Sequence, residues 1–151
     1  MRVVLQRVSE ARVRVDGSVV SSIGPGLLLL VGVEPDDESQ DVRVVVDKVA
    51  NLRVFSDEIG KMNLSIGDVG GEILVVSQFT LLGDIRKGRR PSFTRAADPG
   101  LAAPLIAEMV DGFNQVGIPT GSGVFGAAME VDLINEGPVT LVFSVRNARL
   151  D

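Results

Sequence analysis

The N-terminal third of the chain alternates apolar and polar residues with the period of two that is typical of a half-buried β-strand. Ala11, Val13 and Val15 alternate with arginines, and Asp16-Gly17 follows them directly. Aspartate and glycine tolerate the positive φ angles that a tight two-residue turn requires. The segment therefore predicts a β-hairpin.

Two later segments carry the period of an amphipathic helix, with apolar residues three and four positions apart. The first follows the acidic run "EPDDESQD", whose carboxylates suit a helix N-terminus, and its apolar face consists of Val42, Val45, Val46 and Val49. The second begins at Asp98-Pro99, with aspartate as the cap and proline in the first turn, and ends at Gly117. The residues expected on its buried side are Leu101, Leu105 and Met109.

The remaining pattern predicts strands. Leu27 to Val33 is a continuous apolar run, and Glu72 to Thr80 is expected to form the next strand. Further on, "AMEVDLI" alternates, "NEG" predicts a turn and "PVTLVFSV" predicts a final strand. No repeat or linker divides the chain. We predict a single α+β domain over residues 1–151, with a mixed sheet that two helices cover.

Composition narrows the chemistry that this chain can perform. It has 151 residues, no histidine and no cysteine, which excludes a Ser-His-Asp triad, a thiolate nucleophile and cysteine-based zinc sites. The net charge of −5 disfavours nucleic-acid binding by the whole surface. Asp57, Glu58, Asp68 and Glu72 match no compact metal-binding loop, so we expect no metal. The longest apolar run is too short for a membrane span, and we expect a cytoplasmic protein with no membrane partner.

Three polar residues stand at the end of an apolar strand: Ser77, Gln78 and Thr80, in "EILVVSQFTLL". One interpretation is structural, because polar side chains at strand ends satisfy the backbone of neighbouring loops. The other is catalytic. A hydroxyl beside strand-end N–H groups can orient or attack a carbonyl while those N–H groups stabilise the oxyanion. Alternation would place Gln78 and Thr80 on one face and Ser77 and Phe79 on the other.

A basic cluster interrupts this acidic chain directly after that strand. "DIRKGRRPSFTR" contains five cationic residues: Arg86, Lys87, Arg89, Arg90 and Arg95. The cluster is either a solvated loop or a surface that contacts phosphates without reading sequence.

Two other segments are open to two interpretations each. "NEGPVT" is either an ordinary turn or, if Gly137-Pro138 is cis, a rigid pair of carbonyl acceptors for an ammonium group. "GSGVFGAAM" lacks the lysine of a phosphate-binding P-loop and predicts a flexible loop.

Taken together, "SQFTL", "KGRRPSF", "GVFGAAM" and "NEGPVT" resemble the motifs of the D-aminoacyl-tRNA deacylase family, in the same order. "LQRVSEARVRVDG" and "FSDEIGKMNLS" resemble it as well, so the likeness runs nearly from end to end. It implies an enzyme with a barrel-like sheet that hydrolyses the ester of D-aminoacyl-tRNA, and also of glycine mischarged on alanine tRNA. It implies no cofactor and a homodimer in which Gly137-Pro138 is cis and enters the partner's active site, where an L side chain would collide with it.

The same resemblance assigns roles to individual residues. The pocket for the terminal adenosine and the ester would consist of Ser77, Gln78, Phe79 and Thr80, and their main-chain N–H groups would stabilise the oxyanion. Thr80 would orient the ester or water, while the ribose 2′-hydroxyl assists proton transfer. The substrate-binding residues would be Gly137, Pro138, Asn135, Phe125 and Met129, with Arg7 bracing the Gly-Pro pair. The tRNA phosphates would contact Arg86, Lys87, Arg89 and Arg90.

Two positions depart from the family pattern, because Ala128 and Glu136 stand where aspartate is common. The first change removes a charge from the "GVFGAAM" loop and puts any anchoring role of that aspartate in doubt. Two alternative functions stay open at this point: a tRNA-binding module without catalysis, and a hydrolase of small esters with Thr80 as the nucleophile.

Overall fold

The structure, a computed structural model, describes residues 1–151 and contains nine strands and two α-helices. The strands are β1 (Arg2–Val15), β2 (Ser18–Ile23), β3 (Gly26–Gly32), β4 (Phe55–Ser56), β5 (Met62–Leu64), β6 (Glu72–Ser77), β7 (Thr120–Ser122), β8 (Glu130–Arg146) and β9 (Arg149–Leu150). The helices are α1 (Ser39–Asn51) and α2 (Pro99–Gln115).

One seven-stranded sheet organises the molecule, in the order β7-β6-β3-β1-β8-β9, with β2 paired to β1. The pairs β3–β6 and β6–β7 are parallel and the others are antiparallel, so the predicted mixed α+β architecture is confirmed. Strands β4 and β5 form a separate two-stranded hairpin. The predicted hairpin at Asp16-Gly17 is also confirmed, and both residues have positive φ angles.

The sheet curls like part of a barrel, because β2 folds back toward the far edge strand β7. A Cβ atom added to Gly121 of β7 would lie 2.4 Å from the Ser21 hydroxyl of β2. A side chain at this position would require the Ser21 hydroxyl to move, so glycine favours the close approach of β2 and β7.

Both helices cover one face of the sheet and bury the faces that the sequence predicts. Val42, Val45, Val46 and Val49 of α1 lie in the larger core cluster, together with Leu105 and Met109 of α2. The acidic loop does cap α1, because the Asp41 carboxylate accepts the N–H of Glu38 at 2.9 Å. The prediction was wrong for Leu101, which is 37% exposed. The buried face of α2 instead begins at Ala102.

Strand β6 ends earlier than predicted, at Ser77, and a 3₁₀ helix follows it over Phe79–Leu82. The N–H of Gln78 donates to the carbonyl of Val31 at 2.7 Å, and the chain then turns across the end of β3. It passes so close to Gly32 that a Cβ there would lie 3.1 Å from the Gln78 carbonyl. The expected alternation of faces beyond Ser77 is therefore wrong, because the backbone there is no longer extended.

The predicted turn at "NEG" is absent, and β8 runs unbroken from Glu130 to Arg146. Its pairing with β1 nevertheless changes register in the middle. Val8 pairs with Asn135, whereas Gln6 pairs with Thr140, so four residues of β8 lie opposite Arg7 alone. This bulge, residues 136–139, replaces the predicted turn.

Candidate active site

A cleft opens where β3 and β6 end. Its volume is about 390 Å³, within the range of small-ligand sites. The walls come from the strand ends, the 3₁₀ helix, the start of α2 and the loop before β8: Val31, Val33, Ser77, Gln78, Phe79, Phe93, Ala96, Ala97, Pro99, Ala102, Ile106, Phe125 and Gly126. Nine of these residues are hydrophobic. The cleft is suited to a flat apolar group with polar atoms at one end.

Polar groups stand at one end of this cleft. Ser77 and Gln78 line it, and the Gln78 side-chain amide donates a hydrogen bond to the Thr80 hydroxyl. Thr80 itself is exposed beside the opening. The 56%-exposed Phe79 ring meets Phe93 edge to face, with 5.1 Å between ring centroids, and this pair forms one wall. The structure thus brings together the four residues that the sequence proposed for catalysis.

The main chain supplies hydrogen-bond donors at the same end. The N–H of Gln78 is engaged by Val31, so it is not free for a ligand. Phe79 and Thr80 are the first two residues of the 3₁₀ helix, and the first N–H groups of a helix have no partner inside it. These two groups are therefore the candidate donors to an oxyanion.

No residue that lines the cleft is ionisable. The chain contains no histidine, and the only hydrogen-bond donor to the Thr80 hydroxyl is a neutral amide. A threonine hydroxyl needs a base to become a nucleophile. The arrangement favours a hydroxyl that orients a reactant over one that attacks it.

The basic cluster stands on a small hairpin next to this cleft. Asp84 and Ser92 exchange two main-chain hydrogen bonds, which close residues 85–91 into a projecting loop. Arg86 is paired with Asp84, and its hydrogen bonds hold the pKa of the Asp84 carboxyl well below its usual range. Arg95 is paired with Glu34. Within the basic cluster, the cations without an ion pair are Lys87, Arg89 and Arg90.

The bulge of β8 is the second unusual feature, and Arg7 holds its base. The guanidinium of Arg7 is largely buried and donates to the carbonyl of Glu136 at 2.9 Å and to the carbonyl of Val54. Gly137 and Pro138 are exposed above it, and the peptide bond between them is cis. At Gly137, φ is +137°, and an added Cβ would lie 3.0 Å from the Val139 nitrogen. Glycine is the residue that fits this position.

The bulge does not reach the cleft of its own chain. In the sheet register, Ser77 pairs with Val31, Val31 with Val3, and Val3 with Phe143, so three strand spacings separate β6 from β8. Pro138 lies five residues from Phe143 along β8, opposite Arg7. Standard strand dimensions then give a separation of roughly 20 Å.

The remaining predicted residues are divided between these two regions. Phe125 lines the cleft, whereas Met129 does not and packs instead against the smaller core cluster. Asn135 lies at the base of the bulge, where its side chain bonds to the main chain of Val139.

Three of the four acidic residues considered for a metal accept main-chain hydrogen bonds instead. Asp57 and Asp68 each accept main-chain N–H groups of their own loops, and Glu72 accepts the N–H of Gly24. No group of three or more potential ligands converges. No helix is long and apolar enough to cross a membrane.

Sequence patterns alone did not identify several residues of the cleft. Phe93 lies within the basic motif, and no sequence pattern assigned a role to the small residues Ala96, Ala97 and Ala102. Their spacing carries no chemical signal. A run of small residues before a helix is nevertheless where a ligand can approach the backbone closely.

Solved structures show the same architecture. The chain is similar to a structure described as "c-Myc DNA Unwinding Element Binding Protein", with a TM-score of 0.90 and 38% identity, covering 97% of this chain and 99% of the other. It also matches a "probable eukaryotic D-amino acid tRNA deacylase" with a TM-score of 0.82 over 95% and 98% of the two chains. At 19% identity the second likeness concerns the fold alone. Together they define the class: a small α+β protein with a curled mixed sheet and two helices.

The sequence comparisons are more specific. A family model described as "D-Tyr-tRNA(Tyr) deacylase" matches residues 4–144. A D-aminoacyl-tRNA deacylase of Geobacillus sp. (strain WCH70) is 58% identical over 94% of this chain and 93% of its own. One of Chloroflexus aurantiacus (strain ATCC 29364 / DSM 637 / Y-400-fl) is 57% identical over 99% and 94%. The chain belongs to the D-aminoacyl-tRNA deacylase family, and it is a hydrolase that acts on ester bonds in translation quality control.

Proposed function

We propose that two copies of this chain form a composite site, in which the cleft of one copy holds the 3′ end of D-aminoacyl-tRNA and Gly137-Pro138 of the other selects its chirality. The observation that carries this proposal is the division of the predicted site between two regions about 20 Å apart. The apolar cleft can accept the base of the terminal adenosine, and its polar end then lies beside the ester.

The chemistry needs no ionisable side chain. Water attacks the ester carbonyl carbon, and the N–H groups of Phe79 and Thr80 stabilise the oxyanion that develops. The Thr80 hydroxyl, held by Gln78, orients the ester or the water. The ribose 2′-hydroxyl relays the proton from water to the departing 3′-oxygen. The products are a free D-amino acid and tRNA with an intact 3′ end.

The surface around the bulge supports association with a second copy. Strand β8 lies near the edge of the sheet, and only its last residues pair with β9. Along this edge Ile134 is 55% exposed and Val142 is 66% exposed. An exposed edge strand with apolar side chains is suited to meeting another protein surface. Docking there would bring the bulge to the partner rather than to its own cleft.

Chiral selection would follow from rigid main-chain atoms. Carbonyl groups of the bulge would accept hydrogen bonds from the ammonium group of the substrate. An L side chain would then point into Gly137 and Pro138, whereas a D side chain points away. Glycine has no side chain to exclude, so glycine mischarged on alanine tRNA is also expected to be a substrate.

The hairpin above the cleft would contact tRNA phosphates. Lys87, Arg89 and Arg90 have no ion pair in the chain, so binding phosphate disrupts no existing interaction. Arg86 is already neutralised by Asp84 and contributes less to phosphate binding.

Since the substrate is aminoacylated tRNA, the expected location of the protein is the cytoplasm.

Mixed dimers test the proposal. One chain carries Gly137→Ala and the other carries Ala96→Phe, which fills the cleft, and two different tags isolate the heterodimer. If the bulge acts on the partner's cleft, the only open cleft meets an intact bulge. The heterodimer then keeps the wild-type preference for D-Tyr-tRNA over L-Tyr-tRNA. A relaxed preference, equal to that of the Gly137→Ala homodimer, would show that the bulge acts within its own chain.

A second experiment tests the role of Thr80. Acid quenching during a single turnover should reveal no amino acid esterified to Thr80. A trapped ester on this residue would instead support a threonine nucleophile.

The alternative of a binding module has its own test. Salt-sensitive binding of tRNA without any release of amino acid would favour it.

A further inference from the structure

We infer that Asn135 determines the stereoselectivity of the enzyme without contacting the substrate, by closing the base of the bulge that carries Gly137-Pro138. This inference rests on the proposed function of the bulge. The family resemblance placed Asn135 among the substrate-binding residues, but its hydrogen bonds assign it to a different role, that of a positioning residue.

The side-chain amide of Asn135 bonds across the two ends of the bulge. Its Oδ1 atom accepts the N–H of Val139 at 2.8 Å, and its Nδ2 atom donates to the carbonyl of Val139 at 3.1 Å. Nδ2 also donates to the Thr140 hydroxyl oxygen at 3.0 Å. All of its near partners lie within the same loop, so the amide has little capacity left for a ligand.

These bonds replace the part of the sheet that the bulge interrupts. Between the pairs Val8–Asn135 and Gln6–Thr140, the ladder skips residues 136–139. The Asn135 amide joins the strand on both sides of the gap, and Gln6 adds a longer contact of 3.4 Å to the Thr140 hydroxyl. Arg7 holds the bulge from below through the Glu136 carbonyl. Arg7 thus holds the first residue of the bulge, Glu136, whereas Asn135 holds the last, Val139, and so sets the width of the bulge.

Width matters because exclusion by shape is sensitive to small displacements. Gly137 and Pro138 have no polar side-chain atoms with which to hold themselves in place, and both are exposed. If the base opens, the two residues move away from the substrate, and an L side chain fits into the space. The preference for D over L substrate is then expected to fall by a larger factor than the affinity for D substrate.

The test compares Asn135→Ala with Asn114→Ala in the full-length protein. Asn114 is a matched control, because its amide also bonds main-chain groups, the Thr120 N–H and the Val110 carbonyl, far from the bulge. The readout is the ratio of kcat/KM for D-Tyr-tRNA to that for L-Tyr-tRNA. We expect Asn135→Ala to lower this ratio about ten-fold, the effect of losing one or two hydrogen bonds. Asn114→Ala should keep it.

Asn135→Asp and Thr140→Val keep the inference testable if Asn135→Ala does not fold. Asn135→Asp retains the acceptor for the Val139 N–H and loses both donated bonds, so an intermediate ratio is expected. Thr140→Val removes one acceptor and should give the smallest change. An unchanged ratio in folded Asn135 variants would overturn the inference, and so would an equal fall in Asn114→Ala. Wild-type protein without any D preference would instead refute the proposed function itself.

Discussion

The cleft and the bulge both lie where regular strand pairing stops, but different kinds of atoms form them. The cleft is built from the side chains of four separate segments, with Ser77 and Gln78 as its polar residues. The bulge presents main-chain atoms, and the side chains of Arg7 and Asn135 beside it hold it in place. Because different atoms serve the two regions, we expect the reaction rate and the stereoselectivity to be separable. Changes in the cleft should alter turnover, and changes in the bulge should alter the choice of substrate.

Filling the cleft should give the largest effect. We expect Ala96→Phe to lower kcat/KM for D-Tyr-tRNA about 100-fold or more, or about 2.7 kcal/mol, because the added ring occupies the space proposed for the base. Release of labelled D-tyrosine measures this. Ala128→Phe, at an exposed position outside the cleft, is the control. Equal losses in both variants would show that the effect is not due to the cleft.

Adding a methyl group to the bulge should relax selectivity. An added Cβ at Gly137 would lie 3.0 Å from the Val139 nitrogen and 3.1 Å from the Arg7 guanidinium, so Gly137→Ala must displace the bulge. The expected result is an increase of about ten-fold in hydrolysis of L-Tyr-tRNA relative to D-Tyr-tRNA. A loss of both activities in equal proportion would contradict the separation of rate from selectivity.

Removing the unpaired cations should weaken tRNA binding without changing the chemical step. The triple variant Lys87→Ala, Arg89→Ala, Arg90→Ala should raise KM and reduce the slope of log KM against log salt concentration by about 2 to 3. The control is Arg86→Ala, whose cation is already paired with Asp84. If Arg86→Ala changes the slope as much as the triple variant, the ion pair does not persist in solution.

The pH profile should contain no contribution from an enzyme side chain in the cleft. None of the lining residues is ionisable, and the lowered pKa of Asp84 keeps this nearby carboxyl ionised at every assay pH. Between pH 6 and 8, any break in log kcat/KM should coincide with titration of the substrate α-amino group, measured on free aminoacyl-tRNA by NMR. A second break would reveal a general acid or base that the structure does not show.

The smallest effect should come from Glu34, which links Arg95 of the basic cluster to Arg146 of β8. Burial opposes its ionisation, but the hydrogen bond from Arg95 and the nearby charges outweigh it, so the pKa lies below its ordinary value. Its stabilising contribution is therefore present above about pH 4.5 and is lost as the pH falls through the lowered pKa. Glu34→Gln should cost about 1 kcal/mol at pH 7 and nothing at low pH, as measured by urea unfolding.

The elements with a local periodic pattern were predictable. The valine face of α1 and the hairpin at Asp16-Gly17 follow from period and turn chemistry between near neighbours. Leu101 apart, the errors fall at the two functional regions. An apolar pattern cannot show that β6 ends at Ser77, because this end depends on the packing of the following segment against Gly32. A Gly-Pro pair usually predicts a turn, whereas here the neighbouring residues of β8 keep it within a continuous strand.

The amino-acid sequence alone was sufficient for the fold class, for most of the buried face of each helix, for the family and for the residues to examine. These follow from composition, from the spacing of apolar residues and from motifs that are each local in the chain. Which of those residues meet became known from the three-dimensional structure. Phe125 and Ser77 line the same cleft, and Gly137 lies outside it. Arg86 forms an ion pair with Asp84, whereas Arg89 forms none. The side chain of Asn135 bonds to the main chain of Val139. The physical reason is that such distances depend on strand register and long-range packing, which no short stretch of sequence contains.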